Sequence, residues 1–327
     1  MMNFKLSSRF KLVILSLFYN KFLIKFLSMF IKNKQRRRKL RKKIIKPGDF
    51  YFKALLDSHK DYTVIMPPPG AGDTLLICGL IKEFKIKSQN QILLIVTSQY
   101  YKNIAELVNS ADKIHLLPKT VEISDISKKQ LHDVNIYNSG GHFEYNNMLQ
   151  GFAAKLDLPN VNKLSFNFIK TSDSVEDYFK RLNLKIGKTI LISTEAVSYP
   201  DIIDLEDWRI LAQVLKAMGY DIVFNSCKEN FFEFKTLFLN PKEIIAFTEV
   251  AGGFLGYRSG LCDLIAGFTN IKQFILYCNL ETHDYFTADE VMVVTSLKDQ
   301  YDCINVKEYM FSTMEELKQE LQNFFFI

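Results

Sequence analysis

The chain has 327 residues, 48% hydrophobic and 24% charged, enough for two domains with sizeable cores and too apolar for intrinsic disorder. Five cysteines, an odd number without a C-x-x-C pair, exclude a disulfide framework and a zinc ribbon and point to a reducing compartment. The net charge of +6 conceals a split: residues 1–46 hold ten Lys and five Arg with no Asp or Glu, and the remainder has 27 basic against 36 acidic residues. An acidic body argues against nucleic acid as a partner.

Residues 10–31 are rich in Phe, Leu and Ile, interrupted by Lys21, Lys25, Ser28 and Lys32 at helical steps. One polar stripe then faces a surface of Phe22, Leu23, Phe26, Leu27, Phe30 and Ile31, the pattern of a helix lying in a lipid interface. The basic run from Arg36 to Lys43 follows and suits an anionic leaflet. A signal peptide, a membrane-spanning helix and an amphipathic helix packed on the protein itself are the competing readings. The expected localisation is cytoplasmic, peripherally associated with the inner face of the membrane through residues 1–46.

Beyond Lys46-Pro47-Gly48-Asp49, short apolar runs alternate with longer amphipathic ones. Strands are expected at 62–66, 92–97, 113–117 and 134–137, with helices at 73–86, 100–109 and 125–132. The alternation lapses over 138–185 and resumes with strands at 189–193, 220–225, 243–247, 254–257 and 272–277. Helices are expected between them at 205–218, 229–238 and 260–268. Trp208, in register with Leu205, Leu211, Ala212 and Leu215, reads as core. Ser312-Thr313-Met314-Glu315-Glu316 reads as a capped helix start, leading to an apolar end at Phe324-Phe325-Phe326. This is an α/β chain with two doubly wound halves. The divisions are 1–46, 47–170, 171–311 and a final helix over 312–327.

Three places carry candidate chemistry. Residues 67–80 read PPPGAGDTLLICGL directly after the first expected strand. Gly70 and Gly72 would let backbone approach a ligand at a helix start, with Thr74 beside them. The third glycine of a dinucleotide fingerprint and the Gly-Lys-Ser/Thr of a P-loop are both missing. Asp73 stands at the lip of the expected cleft, either as a chemical group or as the N-cap of the following helix. Residues 254–268 read FLGYRSGLCDLIAGF. There Arg258, Ser259 and the amides of Gly260 and Leu261 converge where a strand turns into a helix, as a diphosphate requires. Arg258 equally suits a structural ion pair with an Asp, and Cys262 and Asp263 equally suit core and cap. Ser193, Thr194 and Glu195 end the strand that opens the second half, facing either a nucleoside or sugar or their own loop. The five histidines have no metal-ligand spacing; His142 is placed either in the cleft or on a surface loop.

The Gly-x-Gly-Asp-x-Leu-Leu run at 70–76 resembles the opening motif of the bacterial heptosyltransferase-like glycosyltransferases of family 9. Residues 189–226, with Trp208 and Gly219-Tyr220, are similar to the start of that family's nucleotide-sugar half, and 254–268 resembles its late strand-Ser/Thr-Gly-helix signature. The resemblance implies a GT-B fold of two Rossmann-like domains facing across a cleft. It implies Asp73 as catalytic base and Ser259 and Gly260 as contacts of the donor's diphosphate and ribose. It also implies transfer from a nucleotide diphosphate sugar to a cell-envelope glycan, lipopolysaccharide or another lipid-linked saccharide, with no metal and no further cofactor. A noncatalytic nucleotide- or glycan-binding protein at the membrane is the alternative. Arg258 stands where the family has Asp, Asp263 where it has His, and its usual Lys has no counterpart between Ala196 and Asp204. Arg258 beside a diphosphate is similar to fucosyltransferase-like GT-B enzymes, and the sugar of the donor stays open.

Overall fold

The computed structural model describes residues 55–118, 131–137, 144–158, 161–167, 173–196, 203–227, 231, 233–278 and 288–326. The N-terminal segment, the helix expected at 125–132 up to residue 130, and His142 lie outside them. Among the described residues no helix is long and apolar enough to cross a membrane.

Two parallel sheets organise the chain. The first contains β1 (Tyr62–Ile65), β2 (Gln91–Val96) and β3 (Lys113–Leu116) in the order β1-β2-β3. The run expected as a fourth strand at 134–137 forms no regular strand; just before it His132, expected as the end of a helix, pairs with Ile65 of β1 through an isolated bridge on the edge opposite β2. Helices α1 (Ala71–Ser88) and α2 (Gln99–Val108) link the strands, and α3 (Met148–Lys155) and α4 (Asp173–Arg181) occupy the stretch where alternation lapses. Ile92–Val96 is buried throughout, as a strand covered on both faces must be.

The second sheet has six strands: β4 (Thr189–Ser193), β5 (Asp221–Asn225), β6 (Lys235–Leu237), β7 (Gly253–Tyr257), β8 (Lys272–Tyr277) and β9 (Val306–Met310). Their spatial order, β6-β5-β4-β7-β8-β9, is the doubly wound order with its switch point between β4 and β7. Helices α5 (Leu205–Ala217), α6 (Pro241–Val250), α7 (Gly260–Phe268), α8 (Ala288–Thr295), α9 (Leu297–Gln300) and α10 (Met314–Phe326) complete this half.

Two expectations around residue 240 are reversed. The run expected as a strand at 243–247 is inside α6, and the stretch expected as a helix at 229–238 holds β6. The cause is local. Asn240 caps α6 by accepting from the Lys242 and Glu243 amides, Glu243 bonds back to the Asn240 amide, and Pro241 opens the first turn. Trp208, Leu211, Ala212 and Leu215 are buried as expected, whereas Leu205 is exposed. The apolar C-terminus finds its partners: Phe325 packs edge-on against Tyr220, whose hydroxyl donates to the Phe325 carbonyl at 2.8 Å.

The two halves meet where α1 and α7 begin. A methyl group on Gly260 would sit 2.4 Å from Ala71 Cβ and 2.6 Å from the Gly72 nitrogen, so the two helix starts touch with no side chain larger than the Ala71 methyl group between them. Seven residues on, or two helical turns, each helix has a second glycine, Gly79 and Gly267. Here Phe166 lies against both and Leu164 against Gly79. Residues 161–167 are held in this position by Leu164 N–H donating to Gln300 O and Phe166 N–H donating to Gly267 O.

Candidate active site

Helix α1 begins three residues earlier than a cap at Asp73 would require. Gly70 is its N-cap, extended and without a side-chain bond, and Asp73 is the third residue of the first turn. The capping alternative for Asp73 is therefore corrected: the helix starts without it. Thr74, expected in the cleft, is buried, and its hydroxyl donates to Gly70 O at 2.7 Å, a bond within the helix itself. Gly70 is the ground on which the Asp73 carboxylate lies, since a Cβ there would fall 2.1 Å from Asp73 Oδ2. Gly72 likewise makes room for Asp263, whose Oδ2 would be 2.4 Å from its Cβ.

Asp73 keeps partial exposure at this crowded junction. Burial of the carboxylate pushes its pKa up to about 7. The hydroxyl of Tyr137, donating to Oδ1 at 3.1 Å, works in the opposite direction. Nearby Asp263 adds to the rise, and Arg258 subtracts from it. A carboxyl group with a pKa of about 7 exchanges protons readily at neutral pH, which is what a general base needs.

Arg258 takes the structural of the two roles the sequence left open. It is 6% exposed, and its guanidinium grips Asp263 through two bonds, Nη1 to Oδ2 at 2.7 Å and Nη2 to Oδ1 at 2.8 Å. Two further donors are committed: Nε donates to Thr295 O at 2.9 Å and Nη1 to Ser259 O at 2.8 Å. Burial opposes the charge, yet the paired carboxylate more than offsets it and keeps the guanidinium firmly protonated. The guanidinium expected at a diphosphate has its fork closed on Asp263 in this structure. Cys262 is core: its thiol donates to Tyr257 O at 3.1 Å, and burial pushes its pKa up to about 11.

Ser259 is the N-cap of α7, yet its side chain makes no capping bond; its hydroxyl lies 3.7 Å from Cys262 Sγ. Gly260 and Leu261 open the helix, Gly260 against Ala71 and Leu261 buried. Ser193 ends β4 opposite Gly256 of β7, so the two expected donor segments are neighbours at the switch point. Thr194 is buried, with its Oγ1 unbonded among the described residues. Glu195 accepts from the Ser226 hydroxyl and from Cys227 Sγ at 3.7 Å, which links the ends of β4 and β5. Among the described residues no three His, Cys, Asp or Glu side chains gather as metal ligands.

Sequence reasoning passed over Tyr137 and its neighbours. Tyr137 was legible only as the last apolar residue of a strand, although the sequence Asn-Ser-Gly-Gly-His immediately follows it. Tyr100 and Tyr101, in the first turn of α2, also border the junction. Burial pushes the Tyr100 hydroxyl up to about 12, with Tyr101 and Cys262 nearby, and the Asp73 charge adds to the rise at Tyr101.

Arg258→Ala is expected to lower stability by about 3–5 kcal/mol, the range for stripping one partner from a buried ion pair. Replacing both partners with apolar residues should recover most of that loss. Urea denaturation of the two variants measures both effects, and a single variant as stable as wild type would contradict the assignment.

No protein-family model matches the sequence, and no curated protein sequence matches it either. The fold has clear counterparts among solved structures. The ADP-heptose lipopolysaccharide heptosyltransferase II of Escherichia coli matches over 81% of this chain and 98% of its own, at 13% identity and a TM-score of 0.55. Heptosyltransferase WaaC of Escherichia coli, solved with ADP, matches over 80% and 99%, at 11% identity and a TM-score of 0.53. A family 9 glycosyl transferase from Veillonella parvula matches over 80% and 89%, at 10% identity and a TM-score of 0.53. The chain therefore has an α/β fold with parallel sheets that matches GT-B glycosyltransferase structures, those of heptosyltransferases and family 9 among them, and the likeness is one of fold.

Proposed function

We propose that the chain is a glycosyltransferase that moves a sugar from a nucleotide diphosphate donor to a glycan of the cell envelope, with Asp73 as the base. The observation that carries this reading is the Asp73 carboxylate, partly exposed where α1 and α7 meet, with its pKa raised to about 7. The fold shared with heptosyltransferases supports it, and the ADP in the WaaC structure supports a nucleotide-linked donor.

In this reading residues 47–170 form the acceptor domain and 171–311 the donor domain, with the cleft between them at the junction. Asp73 accepts the proton of an acceptor hydroxyl as that oxygen bonds to the anomeric carbon. The bond from that carbon to the diphosphate oxygen breaks, and the nucleoside diphosphate leaves with the electron pair. With Arg258 committed to Asp263, the leaving group's charge falls to the Ser259 hydroxyl and the start of α7, where the helix dipole favours an anion. Ser193, Thr194 and Glu195 line the nucleoside side at the switch point. The reading asks for no metal and no cofactor besides the donor. His142 remains a proposed acceptor-side residue.

The test is a panel of nucleotide sugars offered to the purified protein with lipid-linked saccharide acceptors. Asp73→Asn should still bind the donor but transfer sugar about 10²–10⁴-fold more slowly, the usual contribution of a general base. Wild-type transfer should rise with pH through about 7 as the carboxyl group ionises. An Asn variant at the wild-type rate would refute the base, and donor binding without transfer by the wild type would favour the noncatalytic alternative.

The reading also places the protein on the cytoplasmic face of the membrane, held through residues 1–46, which carry all of the excess positive charge. Deleting those residues should release the protein from anionic vesicles, and added salt should weaken binding by the full chain. Flotation of the truncated protein with vesicles to the same extent as the full chain would overturn this placement.

A further inference from the structure

Tyr137 approaches Asp73 from the segment that runs beside β1. Its backbone is fixed by Asn135, whose Nδ2 donates to Tyr137 O at 3.1 Å and whose Oδ1 accepts from Tyr137 N–H at 3.2 Å. Its hydroxyl donates to Asp73 Oδ1 at 3.1 Å. The other carboxylate oxygen, Oδ2, lies over Gly70, in space that any side chain there would fill. The two oxygens of Asp73 therefore have different surroundings. The other titratable or charged groups near the carboxylate among the described residues are Tyr101 from α2, Asp263 from α7, Arg258 from the turn before α7 and buried Tyr301 at the end of α9.

We propose that Tyr137 is a positioning residue for Asp73: its hydroxyl fixes Oδ1 and leaves Oδ2 to take the acceptor's proton. The proposal rests on Asp73 being the base. Burial and the adjacent carboxylate push the Tyr137 phenol well above its ordinary pKa, so it stays protonated and donating across the neutral range. A donor bonded to a carboxylate favours the ionised form, which opposes burial and the Asp263 charge. Tyr137 thereby keeps the base available near neutral pH as well as oriented.

The titration of Asp73 needs neither donor nor acceptor. The full chain is labelled with ¹³C-carboxyl aspartate, the Asp73 resonance is identified by its absence from Asp73→Asn, and its chemical shift is followed against pH. Tyr137→Phe should move the midpoint up by about 1 pH unit, a roughly tenfold gain in proton affinity, as expected for the loss of a hydrogen bond to a charged group. Tyr101→Phe should leave the midpoint in place. A fluorotyrosine at position 137, a stronger donor of the same shape, should move it down, an opposed shift that a merely structural role would not produce. An unchanged midpoint in both Tyr137 replacements would overturn the proposal. A shifted midpoint alongside undiminished sugar transfer by Asp73→Asn would count against the base rather than against the contact.

Discussion

Two helices from different sheets begin against each other with only glycine and alanine between them. Each helix start carries roughly half a positive charge, so bringing two together costs energy unless negative charge accompanies them. Asp73 stands in the first turn of α1 and Asp263 in the first turn of α7. Asp263 also reaches across to Gly72 at the opposite helix start. The close approach and the acidic residues are thus one arrangement, and Gly72 and Gly260 are the residues that allow it.

The fate of each charged group follows. With two carboxylates in one enclosed place, the protein can keep both ionised only with a cation nearby, and Arg258 is that cation. It bonds Asp263 through both prongs and has no comparable hold on Asp73. Asp263 is therefore held in a buried ion pair, and Asp73 is left as the carboxyl group whose proton is loosely held near neutrality. One charge cluster yields a structural ion pair and a candidate base, and the difference between them lies in which carboxylate the guanidinium clasps. The departure of this chain from the family 9 pattern at 258 and 263 has a physical meaning on this account: the two residues complete each other.

Much of this was legible in the sequence where a local pattern decides the outcome. The strands at 62–65, 189–193 and 254–257 are short apolar runs, and the glycines after the first and last of them announced the helix starts. The region around 240 misled because Ile244, Ile245, Ala246 and Phe247 look the same to a strand and to a buried helix. The Asn240-Pro241-x-Glu243 cap, which decides the matter, was the signal passed over. Tyr137 and Asp73 are 64 positions apart, and nothing in the spacing of either announces the other. The pairing of Arg258 with Asp263 was readable in principle, since five residues bring the turn before a helix within reach of its first turn. The sequence could not say whether the guanidinium would turn inward or toward a ligand.

The stability of Asp73→Asn relative to wild type, measured by urea denaturation as a function of pH, tests the central claim most directly. A carboxyl group with a pKa near 7 in the folded protein and about 3.8 unfolded makes the folded state hold the proton more tightly, so its contribution to stability declines as pH rises from about 4 to 7. Asparagine never ionises and escapes that loss. The variant should match wild type near pH 4 and exceed it by about 2–4 kcal/mol above pH 7, with the gap growing steadily between. A gap that stays flat across this range, or a variant less stable than wild type at pH 8, would contradict the account of Asp73 as a carboxyl group held against its preference where the two helices meet.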